Sequence, residues 1–83
     1  MTTDELFTEV RAIVASNIDM EVEEVTRSTA MDDIELWDSV AHVDITFALE
    51  EKYEIELTQE ETEEMNSVQE ILSVLERKLK LPA

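Results

Sequence analysis

Apolar residues return every three or four positions through most of this chain, a spacing that predicts helices. From Thr3 to Ile18, Leu6, Val10, Ile13 and Val14 share one helical face. Thr2 and Glu5 precede that face at capping-box spacing, where hydroxyl and carboxylate each take a free backbone N–H. The last predicted helix runs from Ser67 to Lys80, with Val68, Ile71, Leu72, Leu75 and Leu79 on one side. Ser67 and Glu70 form a second capping box at its start. Between Thr58 and Met65 the chain is short and highly acidic, and Thr58 with Glu61 would cap one or two turns. Clustered carboxylates make those turns marginal on their own.

The middle of the chain carries two apolar faces instead of one. On a helix from Asp38 to Tyr53, at about 100° per residue, Ile45, Leu49 and Tyr53 fall on one stripe. Val40, Val43 and Phe47 fall on nearly the opposite stripe, beside Asp44, Glu50 and Glu51. A surface helix needs one stripe for the core, so the second requires its own use. Either the bundle or a neighbouring loop buries it, or it docks transiently on a basic, grooved partner.

Asp19 to Trp37 lacks periodicity and reads as a long loop between the first two long helices. Val22, Val25, Met31, Ile34, Leu36 and Trp37 are its expected anchors, with Trp37 packed as a core or lid residue. The expected fold is therefore all-α: a four-helix bundle of three longer helices and one short one, in a single domain spanning 1–83.

Composition narrows the function. The chain has 83 residues, too few to enclose a deep enzymatic cleft. Hydrophobic residues make up 43 %, enough for a compact core. Six basic against 22 acidic residues give a formal net charge of −16. Such a field repels nucleic acids and anionic membranes and attracts basic protein surfaces. Thirteen of the acidic residues lie between Asp32 and Glu64, with Lys52 the one basic residue there. Arg77, Lys78 and Lys80 gather at the end of the last helix, where cations complement its dipole. With no cysteine there is no disulfide, no thiolate metal site and no thiol nucleophile. Neither a signal-like N-terminal segment nor an apolar run of membrane-spanning length is present, so the expectation is a soluble, cytoplasmic monomer.

Little of the chain can do chemistry. Asp38 is a good N-cap for the central helix, which puts Ser39 in the first turn with its hydroxyl near solvent. His42 follows three residues later, so a Ser–His hydrolase must be weighed. That chemistry also needs an oxyanion hole, usually on a sharp glycine turn, and the chain has no glycine. The same absence removes an EF-hand loop. The expectation is a non-enzymatic protein with no metal site and a boundary histidine at position 42.

Trp37-Asp38-Ser39-Val40, Ala41-His42-Val43-Asp44-Ile45 and Phe47-Ala48-Leu49-Glu50-Glu51-Lys52-Tyr53 together resemble the recognition helix of acyl and peptidyl carrier proteins. The likeness continues through Ile55-Glu56-Leu57-Thr58 into Met65-Asn66-Ser67-Val68-Gln69-Glu70-Ile71, without gaps from Ser39 onward. The resemblance implies that Ser39 receives a 4′-phosphopantetheine arm from coenzyme A, added by a phosphopantetheinyl transferase. The arm would hold acyl or aminoacyl groups as thioesters for partner enzymes of fatty acid, polyketide or related biosynthesis. By position, Asp38, Val40, Asp44, Phe47, Glu50 and Glu51 match the family's docking surface, and Val43 joins them through the helical wheel. Val40 stands where the family usually has leucine, and Leu36 where many members have glycine. A tryptophan directly before Asp-Ser is more like free-standing carriers of specialised pathways. The alternative is a small acidic interaction module with no prosthetic group.

Overall fold

A computed structural model describes residues 2–81, so Met1, Pro82 and Ala83 at the ends of the expected domain lie outside it. Four helices follow one another: α1 (Thr3–Asn17), α2 (Ser39–Tyr53), the short α3 (Gln59–Glu64) and α4 (Val68–Leu79). The loop between α1 and α2 holds two short 3₁₀ turns, Val22–Glu24 and Met31–Asp33. α1 packs against both α2 and α4, and α3 leans on α4.

The helix starts follow their capping residues. At α1, Glu5 N–H donates to Thr2 Oγ1 at 3.1 Å and Thr2 N–H to Glu5 Oε1 at 3.2 Å. At α3, Thr58 and Glu61 exchange the same two bonds at 3.1 and 2.8 Å. The Thr58 N–H, and after it Lys78, hold the Glu61 carboxyl below its ordinary pKa. The box expected at α4 is half made. Ser67 Oγ accepts Glu70 N–H at 3.1 Å, but the Glu70 carboxylate takes the Ser67 hydroxyl, not its backbone N–H. An antiparallel bridge between Ala30 and Ser67 holds the backbone on either side, with Met31 N–H on Asn66 O and Val68 N–H on Thr29 O.

Three joints sit in the left-handed region with side chains attached: Asp19 (φ 56°), Glu54 (φ 54°) and Lys80 (φ 57°). Each costs about 1–2 kcal/mol that glycine would avoid, and the chain has no glycine. Glu54 and Lys80 cap the C-termini of α2 and α4, their N–H groups donating to Glu50 O and Glu76 O.

Leu6, Val10 and Val14 of α1, Ile45 and Leu49 of α2, and Ile71, Leu72, Val74 and Leu75 of α4 build the core. Val25 and Trp37 seal it from the loop, and Met65 and Val68 from the α3–α4 junction. Val74 was not on the expected face of the last helix, and Leu79 is only partly buried. Tyr53 ends the inner stripe half-buried, its hydroxyl donating to Glu9 Oε1 on α1 at 2.6 Å. Burial, and then the Glu9 carboxylate beside it, push the phenol pKa well above its ordinary value.

The loop anchors divide. Val25 and Trp37 are buried and Met31 and Ile34 are half-buried, but Val22 and Leu36 face solvent. Leu36 lies in the turn closed by Trp37 N–H on Ile34 O, and the middle of so tight a turn projects outward.

Candidate functional site

The start of α2 is built from both sides of Ser39. Trp37, 1 % exposed, fixes the incoming chain to the core. Asp38 Oδ1 accepts Ala41 N–H at 2.9 Å, and Asp38 O accepts His42 N–H at 2.9 Å. This cap sets the first turn and leaves Ser39 exposed, as the sequence predicts. Among the described residues, the Ser39 hydroxyl and the backbone N–H groups of Ser39 and Val40 have no hydrogen-bond partner. The positive end of a 15-residue helix therefore presents one hydroxyl and two open donors to solvent.

The outer stripe of α2 is uncovered. Val40, Val43 and Phe47 are 71 %, 63 % and 59 % exposed. Leu36, expected as a loop anchor, extends this apolar strip beyond the helix start. Asp38, Asp44 and Glu51 are exposed around it. Glu50 differs, because it is half-buried and its Oε2 accepts Leu57 N–H at 2.9 Å, tying α2 to the following segment. Sequence reasoning missed this bond because its partner is a backbone group seven residues on.

Beside Ser39 lies an open cleft of about 410 Å³, lined by Asn17, Ile18 and Asp19 from the end of α1 and by Leu36, Asp38, Val40, Ala41 and Asp44. Asn17 and Asp19 were not singled out in the sequence, and nothing in their local pattern marks them. Three of the six cations are paired away from α2: Arg27 with Asp4 at 3.0 Å, Arg77 with Glu64 at 2.7 Å and Lys78 with Glu61 at 2.9 Å. The carboxylates around α2 form no ion pair among the described residues, which leaves that face strongly negative.

His42 is half-buried and turned away from catalysis. Trp37 Nε1–H donates to its Nδ1 at 3.2 Å, and its Nε2 lies 2.8 Å from Thr62 O. An indole nitrogen only donates and a carbonyl only accepts, so in this arrangement Nδ1 accepts and Nε2–H donates. Both nitrogens are thus committed, and neither serves as a base for Ser39. Among the described residues no group of His, Asp or Glu side chains is arranged to hold a metal, and no helix is long and apolar enough to cross a membrane.

No protein-family model matches the chain. It is 32 % identical over 81 residues to the acyl carrier protein of Petrotoga mobilis, covering 98 % of this chain and 95 % of that protein. It is 30 % identical over 79 residues to the acyl carrier protein of Thermosynechococcus vestitus, covering 95 % and 98 %. Its fold is similar to the solution NMR structure of a holo acyl carrier protein from Geobacter metallireducens, with a TM-score of 0.77 at 26 % identity over 89 % of this chain and 85 % of that one.

Proposed function

The chain belongs to the acyl carrier protein family, and on that basis we propose that Ser39 is the point at which its 4′-phosphopantetheine is attached. The protein is a carrier and not an enzyme, with an all-α bundle as its scaffold and a phosphopantetheinyl transferase and biosynthetic enzymes as its partners. The bound group supplies the thiol that this cysteine-free chain lacks, and that thiol holds acyl groups as thioesters.

The residues at position fit the group. Ser39 offers an exposed hydroxyl with no competing hydrogen bond among the described residues. A phosphodiester there would meet the open N–H groups of Ser39 and Val40 at the positive end of α2. Asp38 holds the turn through Ala41 N–H. Val40, Val43 and Phe47 supply a small apolar contact, and Asp38, Asp44, Glu50 and Glu51 a negative rim for enzymes with basic docking surfaces. Such docking is fast, weak and reversible, as serial delivery to acyl- or aminoacyl-transferring partners requires. The observation that carries this reading is the solvent-facing serine at the head of a helix whose outer apolar face is uncovered.

Incubation with coenzyme A and a broad-specificity transferase is expected to add one phosphopantetheinyl mass to the wild type and none to Ser39→Ala. A wild-type chain that stays unmodified would leave an acidic interaction module without a prosthetic group.

A further inference from the structure

The hydrogen bonds around His42 bracket the attachment segment. Trp37 and His42 lie on either side of Asp38 and Ser39 in the chain, and an indole N–H to imidazole bond of 3.2 Å joins them. Their ring centroids are 6.3 Å apart. The opposite face of the imidazole is tied to α3 through Nε2–H on Thr62 O at 2.8 Å. One ring therefore connects a buried loop residue, the first turns of α2, and α3.

We propose that His42 is a positioning residue for Ser39: the Trp37–His42–Thr62 bridge clamps the loop-to-helix junction in the geometry the transferase uses. The inference rests on Ser39 being the attachment point. In the attachment step, Ser39 Oγ forms a bond to the pantetheine-bearing phosphorus of coenzyme A. The bond from that phosphorus to the bridging oxygen breaks, 3′,5′-adenosine diphosphate departs with the oxygen, and the serine proton passes to a base on the transferase. The carrier's contribution is where it holds Oγ.

The test is the steady-state rate of transferase modification, followed by mass spectrometry for wild type, His42→Gln and His42→Leu. Glutamine can accept from Trp37 and donate to Thr62, and leucine can do neither. His42→Leu is expected to lower kcat by roughly tenfold to a hundredfold, the scale of a nucleophile misplaced by about an ångström, with KM near the wild type. His42→Gln should restore most of kcat. The Trp37 indole N–H resonance should move in His42→Leu but not in His42→Gln. If a folded His42→Leu is modified at the wild-type rate, or if His42→Gln is as slow as a folded His42→Leu, the clamp has no such role. A wild type never modified at all would overturn the attachment reading and this inference with it. Modification of wild type and folded His42→Leu at equal rates overturns the inference alone.

Discussion

Helices α2 and α4 begin in opposite ways. At α4 the first free N–H groups are all taken: Val68 by Thr29 O, Gln69 by Arg27 O and Glu70 by Ser67 Oγ. At α2 the Asp38 cap takes Ala41 N–H and leaves those of Ser39 and Val40 open. The faces differ in the same sense. α4 buries Val68, Ile71, Leu72, Val74 and Leu75, while α2 shares its apolar residues between the core and solvent. Donors left open to water cost little, whereas donors buried without partners cost a great deal. The molecule therefore closes the start of α4 within the fold and leaves the start of α2 where water can satisfy it.

The contrast breaks most visibly in the core. Leu72→Ala is expected to lose about 2–5 kcal/mol of unfolding free energy in urea, against within about 0.5 kcal/mol for Phe47→Ala. Equal losses would mean that the outer face of α2 is packed after all. For partners the order reverses. Phe47→Ala and Glu51→Lys should each weaken transfer by roughly tenfold, about 1.4 kcal/mol, and Glu51→Lys should act chiefly on the association rate. Unchanged transfer rates with several partners would make that face ornamental. Glu50→Lys is a poorer probe, because it also removes the acceptor of Leu57 N–H. A finer test compares the two helix starts: Ser67→Ala should cost about 1 kcal/mol as a lost cap, whereas Ser39→Ala should leave chemical stability within about 0.5 kcal/mol of wild type. The smallest effect concerns both regions at once. With a net charge of −16, added sodium chloride or magnesium should raise the melting temperature by screening repulsion. A flat or falling response would show that the unpaired carboxylates do not strain the fold.

Features that depend on local spacing were readable in the chain. Thr2 with Glu5 and Thr58 with Glu61 marked helix starts because each pair meets within one turn. Two opposed stripes on α2 follow from helical geometry alone, and Ile45 and Leu49 are indeed inside while Val40, Val43 and Phe47 are outside. What escaped depends on contacts distant in sequence. The acceptors of Val68 and Gln69 lie in the first loop, near Ala30, and no pattern around Ser67 announces them. His42 was expected at a boundary, but its role as an acceptor from Trp37 and donor to Thr62 needs three segments brought together. Leu36 shows the limit from the other side: its hydrophobicity argued for burial, and the turn from Ile34 to Trp37 carried it outward. Asn17 and Asp19 meet the Ser39 region only because the end of α1 comes to rest beside the start of α2.

The three left-handed joints leave unequal room for improvement. Glycine at Glu54 would relax about 1 kcal/mol of backbone strain and also delete one of 22 acidic side chains, so both changes act in the same direction. At Lys80 the same relief removes one of only six cations, and the two effects oppose each other. At Asp19 it strips a carboxylate from the cleft beside Ser39. Only the first of these corners could be softened without trading away charge balance or the negative charge beside Ser39.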